Sequence, residues 1–186
     1  MLKAFLRPCS FLLLLFTMLF GDSSKAYAQG YRQLTKSDFQ GKPDEKDPFV
    51  SQVKLRIGYQ STIVKKDNSY RVTFQVFLDV NQKESWIKFD KIKSPEALAE
   101  VLNHEQGHFK IGLLMQRELI KRLNARKYTS HYKQEAATLF NRVADKYQAI
   151  QLRYDAETTH MMNRKQQSIW DANLNQALQS NSLLGQ

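Results

Sequence analysis

The sequence predicts an α+β fold, with a small antiparallel sheet packed on one long helix and a second long helix beside it. Two observations carry this. Residues 53–59 and 70–80 alternate apolar and polar side chains with a period of two, as half-buried strands do. Residues 94–124 and the segment from 132 onward space their apolar side chains by three and four, as helices do. One face of such a sheet must be covered, and the downstream helices are the available cover.

The first 28 residues read as a secretory leader, and 29–186 as one domain. Lys3 and Arg7 start the leader, residues 11–20 are apolar except for Thr17, and Ala26-Tyr27-Ala28 offers small residues for cleavage after Ala28. The apolar run falls short of the ~20 residues of a membrane span, so no stable span is expected after cleavage. The expected location is outside the cytoplasm, periplasmic or secreted. Cys9 is the only cysteine and lies in the leader. A mature chain without cysteine has no disulfide and no thiol nucleophile, and it must hold any metal with His, Asp or Glu.

The whole chain carries +10. Removing Lys3, Arg7, Lys25 and Asp22 with the leader leaves +8. Such an excess suits an acidic envelope polymer or an anionic lipid surface, or simply a soluble basic surface. No nucleic-acid-binding module is present, so nucleic acid is not an expected partner.

Residues 29–50 are polar and punctuated by Gly41, Pro43 and Pro48, which predicts irregular chain. Val53, Leu55, Ile57 and Tyr59 form one strand pattern, and Tyr70, Val72, Phe74, Val76, Leu78 and Val80 form another. Lys66-Asp67-Asn68-Ser69 between them predicts the turn of a hairpin. Residues 86–89 predict a third, shorter strand. Ser94-Pro95-Glu96 is a helix start: a capping hydroxyl, a proline suited to the first turn, and a negative charge at the positive helix end. Leu98, Val101, Glu105, His108, Gly112, Met115 and Leu119 then form one stripe. A polar break at 128–130 precedes the second helix, with Ala136, Phe140, Val143, Tyr147, Ile150, Tyr154, Glu157 and Met161 on its stripe. After Met162 the phase shifts to Ile169, Leu174 and Leu178, which predicts a kink or a new helix. Residues 180–186 read as a frayed end.

The chemistry centres on His104-Glu105-Gln106-Gly107-His108. Residues four apart lie one above the other on a helix, about 40° around its axis, so His104 and His108 can hold one zinc ion. Glu105 lies about 60° around from His108 and can reach a water polarised by that ion. It then serves as general base and passes the proton to the leaving amine. A zinc site of this kind needs a third protein ligand. Tyr154-Asp155-Ala156-Glu157-Thr158-Thr159-His160 on the second helix offers the candidates. His160 is the better zinc donor by type, and Glu157 occupies the apolar stripe, where an unpartnered carboxylate would be costly. Asp155 is a further candidate, as ligand or as a group orienting one. His131 in the polar break reads as a surface residue. Tyr154 has two readings: a phenol that stabilises the oxyanion of the tetrahedral intermediate, or a core aromatic. Gly107 and Gly112, poor helix residues, point either to close approach by another segment or by substrate, or equally to simple packing contacts.

Three stretches together carry a family resemblance. They are Leu34-Thr35-Lys36-Ser37-Asp38-Phe39-Gln40-Gly41-Lys42-Pro43, His104-Glu105-Gln106-Gly107-His108-Phe109, and Tyr154 to His160 followed by Gln166 and Trp170. The chain resembles a bacterial family of exported proteins long catalogued as a domain of unknown function and grouped with the zincin-like, zinc-dependent proteases. The likeness implies a zincin-type fold and protease activity, and it adds weight to His160 as a ligand. Met161 and Lys110 depart from the family pattern, where glycine and an acidic residue are common.

The expected function is therefore zinc-dependent hydrolysis of a peptide or protein substrate. Two alternatives stand beside it: a non-catalytic zinc-containing envelope binding protein, and a hydrolase of peptidoglycan peptides.

Overall fold

Val72, Phe74, Val76 and Leu78 are all buried, while Arg71, Thr73, Gln75 and Phe77 between them are exposed. That alternation gives the sheet its inner face. The computed structural model describes residues 31–66 and 69–180. The expected leader, residues 67–68 of the expected turn and the tail after Ser180 lie outside the described residues.

Strand β1 spans Ser51–Gln52, β2 Leu55–Lys66, β3 Ser69–Val80 and β4 Trp86–Ile87. Helices α1 (Pro95–Ala125), α2 (Tyr132–Thr158) and α3 (Arg164–Gln179) follow. The architecture is α+β, three helices with small antiparallel sheets. β2 and β3 form the expected hairpin, in register from Leu55 opposite Val80 to Lys66 opposite Ser69. The short strand at Trp86 does not extend that hairpin. It pairs with β1 in a separate two-stranded sheet, Ser51 opposite Ile87 and Gln52 opposite Trp86.

The edge of β3 is closed by α1 rather than by a third strand. Asn124 accepts from the Phe74 N–H at 2.8 Å and donates to the Phe74 carbonyl at 3.0 Å, and Gln116 donates to the Val76 carbonyl at 2.9 Å. Helix side-chain amides thus do the work of a neighbouring strand for backbone groups that would otherwise be buried unpaired.

α1 begins where expected. Ser94 accepts from the Ala97 N–H at 3.2 Å, and Pro95 opens the first turn. Its apolar stripe is wider than the spacing suggested. From His104 to Leu119 almost every side chain is buried, because β3 lies on one flank, α2 and α3 on the others. A helix buried all round is a central helix. Gly112 lets it close on the hairpin, since a methyl there would press on Leu55 and Leu78. On α2 the buried residues are Ala136, Val143, Tyr147, Ile150, Tyr154 and Thr158. The stripe therefore leaves Glu157 outside and exposed. The phase shift after Met162 is a new helix, α3, capped by Asn163 and anchored by Trp170, Leu174 and Ala177 in the core.

Candidate metal centre

His104 and His108 sit one turn apart on α1 with ring centroids 5.0 Å apart. His104 is buried and His108 nearly so. Both present Nε2 to one carboxylate oxygen on α2. Asp155 Oδ1 lies 3.3 Å from His104 Nε2 and 2.9 Å from His108 Nε2. Among the described residues these three form the one group whose candidate ligand atoms all lie within 4.8 Å of one another.

The opposite face of each imidazole is held by a glutamine. His104 Nδ1 faces Gln167 Oε1 at 3.1 Å, and His108 Nδ1 faces Gln151 Oε1 at 2.5 Å. Gln151 donates its Nε2 to the His108 carbonyl at 3.2 Å, so its oxygen must be the atom turned to the ring. Each Nδ1 therefore carries a hydrogen, and the neutral form of each ring has its lone pair on Nε2. Two such lone pairs against a carboxylate oxygen repel unless a proton or a cation stands between them. Asp155 Oδ1 is itself buried with no hydrogen bond of good geometry. Ligand atoms of a tetrahedral zinc, each about 2.0–2.1 Å from the ion, stand about 3.3 Å apart. The donor set and its spacing fit such an ion.

Burial would raise the Asp155 carboxyl, but the His104 and His108 imidazoles set against it, with charge from His108 and His160, hold it far below the usual carboxylate range. Burial would lower His108, yet Asp155 and the charge of Glu105 raise it above the ordinary histidine value. Opposite charge outweighs desolvation at both groups.

Asp155 reaches this position because α1 and α2 touch at a glycine. A methyl on Gly107 would fall on the Tyr154 hydroxyl. Tyr154, fully buried, stacks on His104 with ring centroids 4.9 Å apart and donates to the His104 carbonyl at 2.9 Å. Burial pushes its phenol well above the ordinary value, so it stays protonated. Its hydroxyl is directed at the helix backbone, and Tyr154 does not line the cleft.

His160 arrives by another route. α2 ends at Thr158, and Thr159, His160 and Met161 all take positive φ, at 50°, 46° and 75°. Three consecutive non-glycine residues in this region cost of order 1–3 kcal/mol each. The turn brings the ring onto Phe49, with centroids 3.6 Å apart, and Nδ1 to 3.5 Å from Asp155 Oδ1. Burial lowers the His160 pKa, partly offset by Asp155. Its atoms stand beside the three-residue group rather than within it. Glu157 is not brought to the centre at all: it accepts from Trp170 Nε1 at 2.8 Å and lies 3.8 Å from Arg153. His131 is exposed at the start of α2.

Glu105 lies beside the histidines in a cleft of about 330 Å³, walled by Phe49, Leu55, Gln148 and Gln151. Its carboxylate accepts from Ser51 Oγ at 2.5 Å and from the Val53 N–H at 2.8 Å. The short sheet of β1 and β4 thus aims the glutamate. The motif's remaining polar residue faces away from the cleft. Gln106 accepts from the Leu34 N–H at 2.7 Å and donates to the Arg32 carbonyl at 3.1 Å, strapping the N-terminal arm to the back of α1.

Sequence reasoning weighed Asp155 below its neighbours and missed Gln151, Gln167 and Ser51. A signal existed for part of this. Gln148, Gln151 and Asp155 step by three and four, a polar stripe next to the apolar one.

No helix among the described residues is long and apolar enough to cross a membrane. No curated protein and no solved structure matches the chain. The model of one family does, that of a bacterial protein of unknown function (DUF922), over residues 23–161. This span holds the whole His104–Glu105–His108 motif together with Asp155 and His160, and the chain belongs to that family.

Proposed function

We propose that the protein is an exported zinc-dependent peptidase of zincin-like type. The observation that carries this is the convergence of His104 Nε2, His108 Nε2 and Asp155 Oδ1 beside the Glu105 carboxylate in an open cleft. In this reading His104, His108 and Asp155 hold the ion, with His160 next to them as the nearest further donor. A bound zinc ion would acidify water and polarise a substrate carbonyl.

The chain's own residues supply the rest. Glu105 can take a proton on either carboxylate oxygen, since each accepts one hydrogen bond and keeps a free lone pair. Ser51 and Val53 hold that carboxylate turned toward the cleft, so a proton gained from water can be returned to a leaving nitrogen without reorientation. Phe49 and Leu55 give the otherwise polar cleft two apolar walls against which a substrate side chain can pack.

Purified mature protein is expected to carry about one zinc per chain by elemental analysis. Glu105→Gln should retain the zinc and lose cleavage of an unfolded protein substrate by at least 100-fold. Absence of zinc and of affinity for it would end the reading, and surviving activity in Glu105→Gln would remove Glu105 as base. Parallel incubation with peptidoglycan separates a protein substrate from cell-wall peptides.

A second reading, a non-catalytic zinc-containing envelope protein, draws on the same glutamate. Ser51 and Val53 bind it as they would a structural side chain. Under that reading Glu105→Gln lowers stability and changes no turnover.

A further inference from the structure

The match to the family ends at residue 161, before α3 begins. Yet α3 reaches the centre. Gln167 is buried, and four residues on, one turn along the same face, stands Asp171.

We propose that α3 positions the site: Asp171, acting through Gln167, imposes on His104 the tautomer that turns its Nε2 lone pair toward Asp155. The argument runs outward from the one group whose polarity is unambiguous. A carboxylate can only accept. Asp171 Oδ2 accepts from Asn103 Nδ2 at 2.8 Å, and Asp171 Oδ1 accepts from Gln167 Nε2 at 3.0 Å. That fixes which end of the Gln167 amide is nitrogen. The same nitrogen donates to Tyr154 Oη at 2.7 Å, and Tyr154 spends its single hydroxyl proton on the His104 carbonyl. The phenol oxygen can therefore only accept from Gln167, which agrees with the assignment. Gln167 Oε1 is left facing His104 Nδ1 at 3.1 Å, and this nitrogen must carry the hydrogen. Reversing the His104 tautomer would set a lone pair against Oε1, or turn the amide and set its N–H₂ away from Asp171.

His108 is oriented differently. Gln151 takes its polarity from the His108 carbonyl, within the matched segment. The two histidines are thus set by independent means, and α3 governs one of them. Asp171 and Gln167 touch neither substrate nor reacting atoms, so they are positioning residues.

The inference rests on the metal-site reading only for its effect on affinity. The tautomer can be read without metal. In metal-free, ¹⁵N-histidine-labelled protein at mildly alkaline pH, His104 should show the Nδ1–H form by long-range ¹⁵N–¹H couplings. Gln167→Leu should shift His104 to a mixed or Nε2–H form, leave His108 unchanged, and weaken zinc binding by about 10–100-fold in chelator competition. Asp171→Asn should move both readouts the same way by less, and it serves if Gln167→Leu does not fold. An Nε2–H form in the wild type overturns the proposal, as does an unchanged His104 tautomer in a folded Gln167→Leu or Asp171→Asn protein. If the tautomers behave as expected and the wild type binds no zinc, the peptidase reading fails and this one stands.

Discussion

Gly107 is the residue on which the centre turns. In a helix interior alanine is worth about 1 kcal/mol more than glycine, so propensity alone favours Gly107→Ala. The Tyr154 hydroxyl occupies the space that the methyl would need. Overpacking of this kind costs about 1–3 kcal/mol, and here it would also displace Tyr154, whose neighbour in the chain is Asp155. Gly107→Ala is expected to lower stability by about 1–2 kcal/mol in urea unfolding and to weaken zinc binding. A more stable variant with unchanged affinity would contradict this packing account. At the same scale, the three candidates of α2 and its C-terminal turn should separate cleanly. Asp155→Asn removes the converging charge and should reduce zinc affinity at least 100-fold. His160→Ala should reduce it less, and Glu157→Gln, whose partners are Trp170 and Arg153, should leave it within about twofold. Chelator competition measures all three. The sequence left this choice open for a plain reason. Beyond Tyr154 a helical stripe can continue at 157 or at 158, three or four residues on, and periodicity does not choose between them. Packing of Tyr154 on Gly107 chose Thr158, and that turned Glu157 outward and Asp155 toward α1.

At the scale of elements, two contacts secure the hairpin edge and the N-terminal arm. Asn124 on α1 completes the edge of β3. Asn124→Ala would leave the Phe74 N–H and carbonyl without their partner and should cost about 1–3 kcal/mol in denaturant unfolding. A loss below about 0.5 kcal/mol would mean that water replaces the amide. The N-terminal arm depends on Asp38, buried and paired with Arg32 at 2.8 Å. Burial would raise its carboxyl, but hydrogen bonds from Arg32, the Thr35 N–H and Gln82 hold it below the ordinary value. A carboxyl depressed in the folded state stabilises fully above its unfolded pKa, about 3.9, and that contribution fades as pH falls through the lower folded value. Asp38→Asn should therefore be less stable than wild type at neutral pH, with the difference shrinking below about pH 4. A gap that persists undiminished at low pH would place the effect in shape rather than charge. The hairpin was legible because residues 53–59 and 70–80 alternate with a period of two on either side of a polar turn. The partner of Trp86 was not, because two-residue strands carry no period and their pairing is set by what lies near them in space.

For the molecule as a whole, the centre joins α1 to α2, and through Gln167 to α3. An ion held there would tie the helices of the core to one another. Ligand binding to the folded state alone stabilises by about 4 kcal/mol at a thousandfold excess over Kd. Stripping the protein with a chelator should lower Tm by several degrees, and returning zinc should restore it, with magnesium ineffective. No change in Tm on chelation would argue that the cluster is held by protons instead. The excess of positive charge remains a candidate means of attraction to an acidic envelope polymer. Its signature would be retention on such a polymer at low salt that disappears at high salt.

What the sequence by itself determined is whatever is local along the chain. The helix start at Ser94 and Pro95, the hairpin, and the pairing of His104 with His108 each follow from a period or a cap within one element. Tertiary structure decided everything that needed two elements at a known angle. It turned Asp155 rather than Glu157 to the histidines, and it bent the chain through three left-handed residues to set His160 beside them. It also brought a glutamine to each imidazole from a different helix. Spacing fixes the angle of a side chain around its own helix axis. Only the packing of one helix on another fixes what that angle faces.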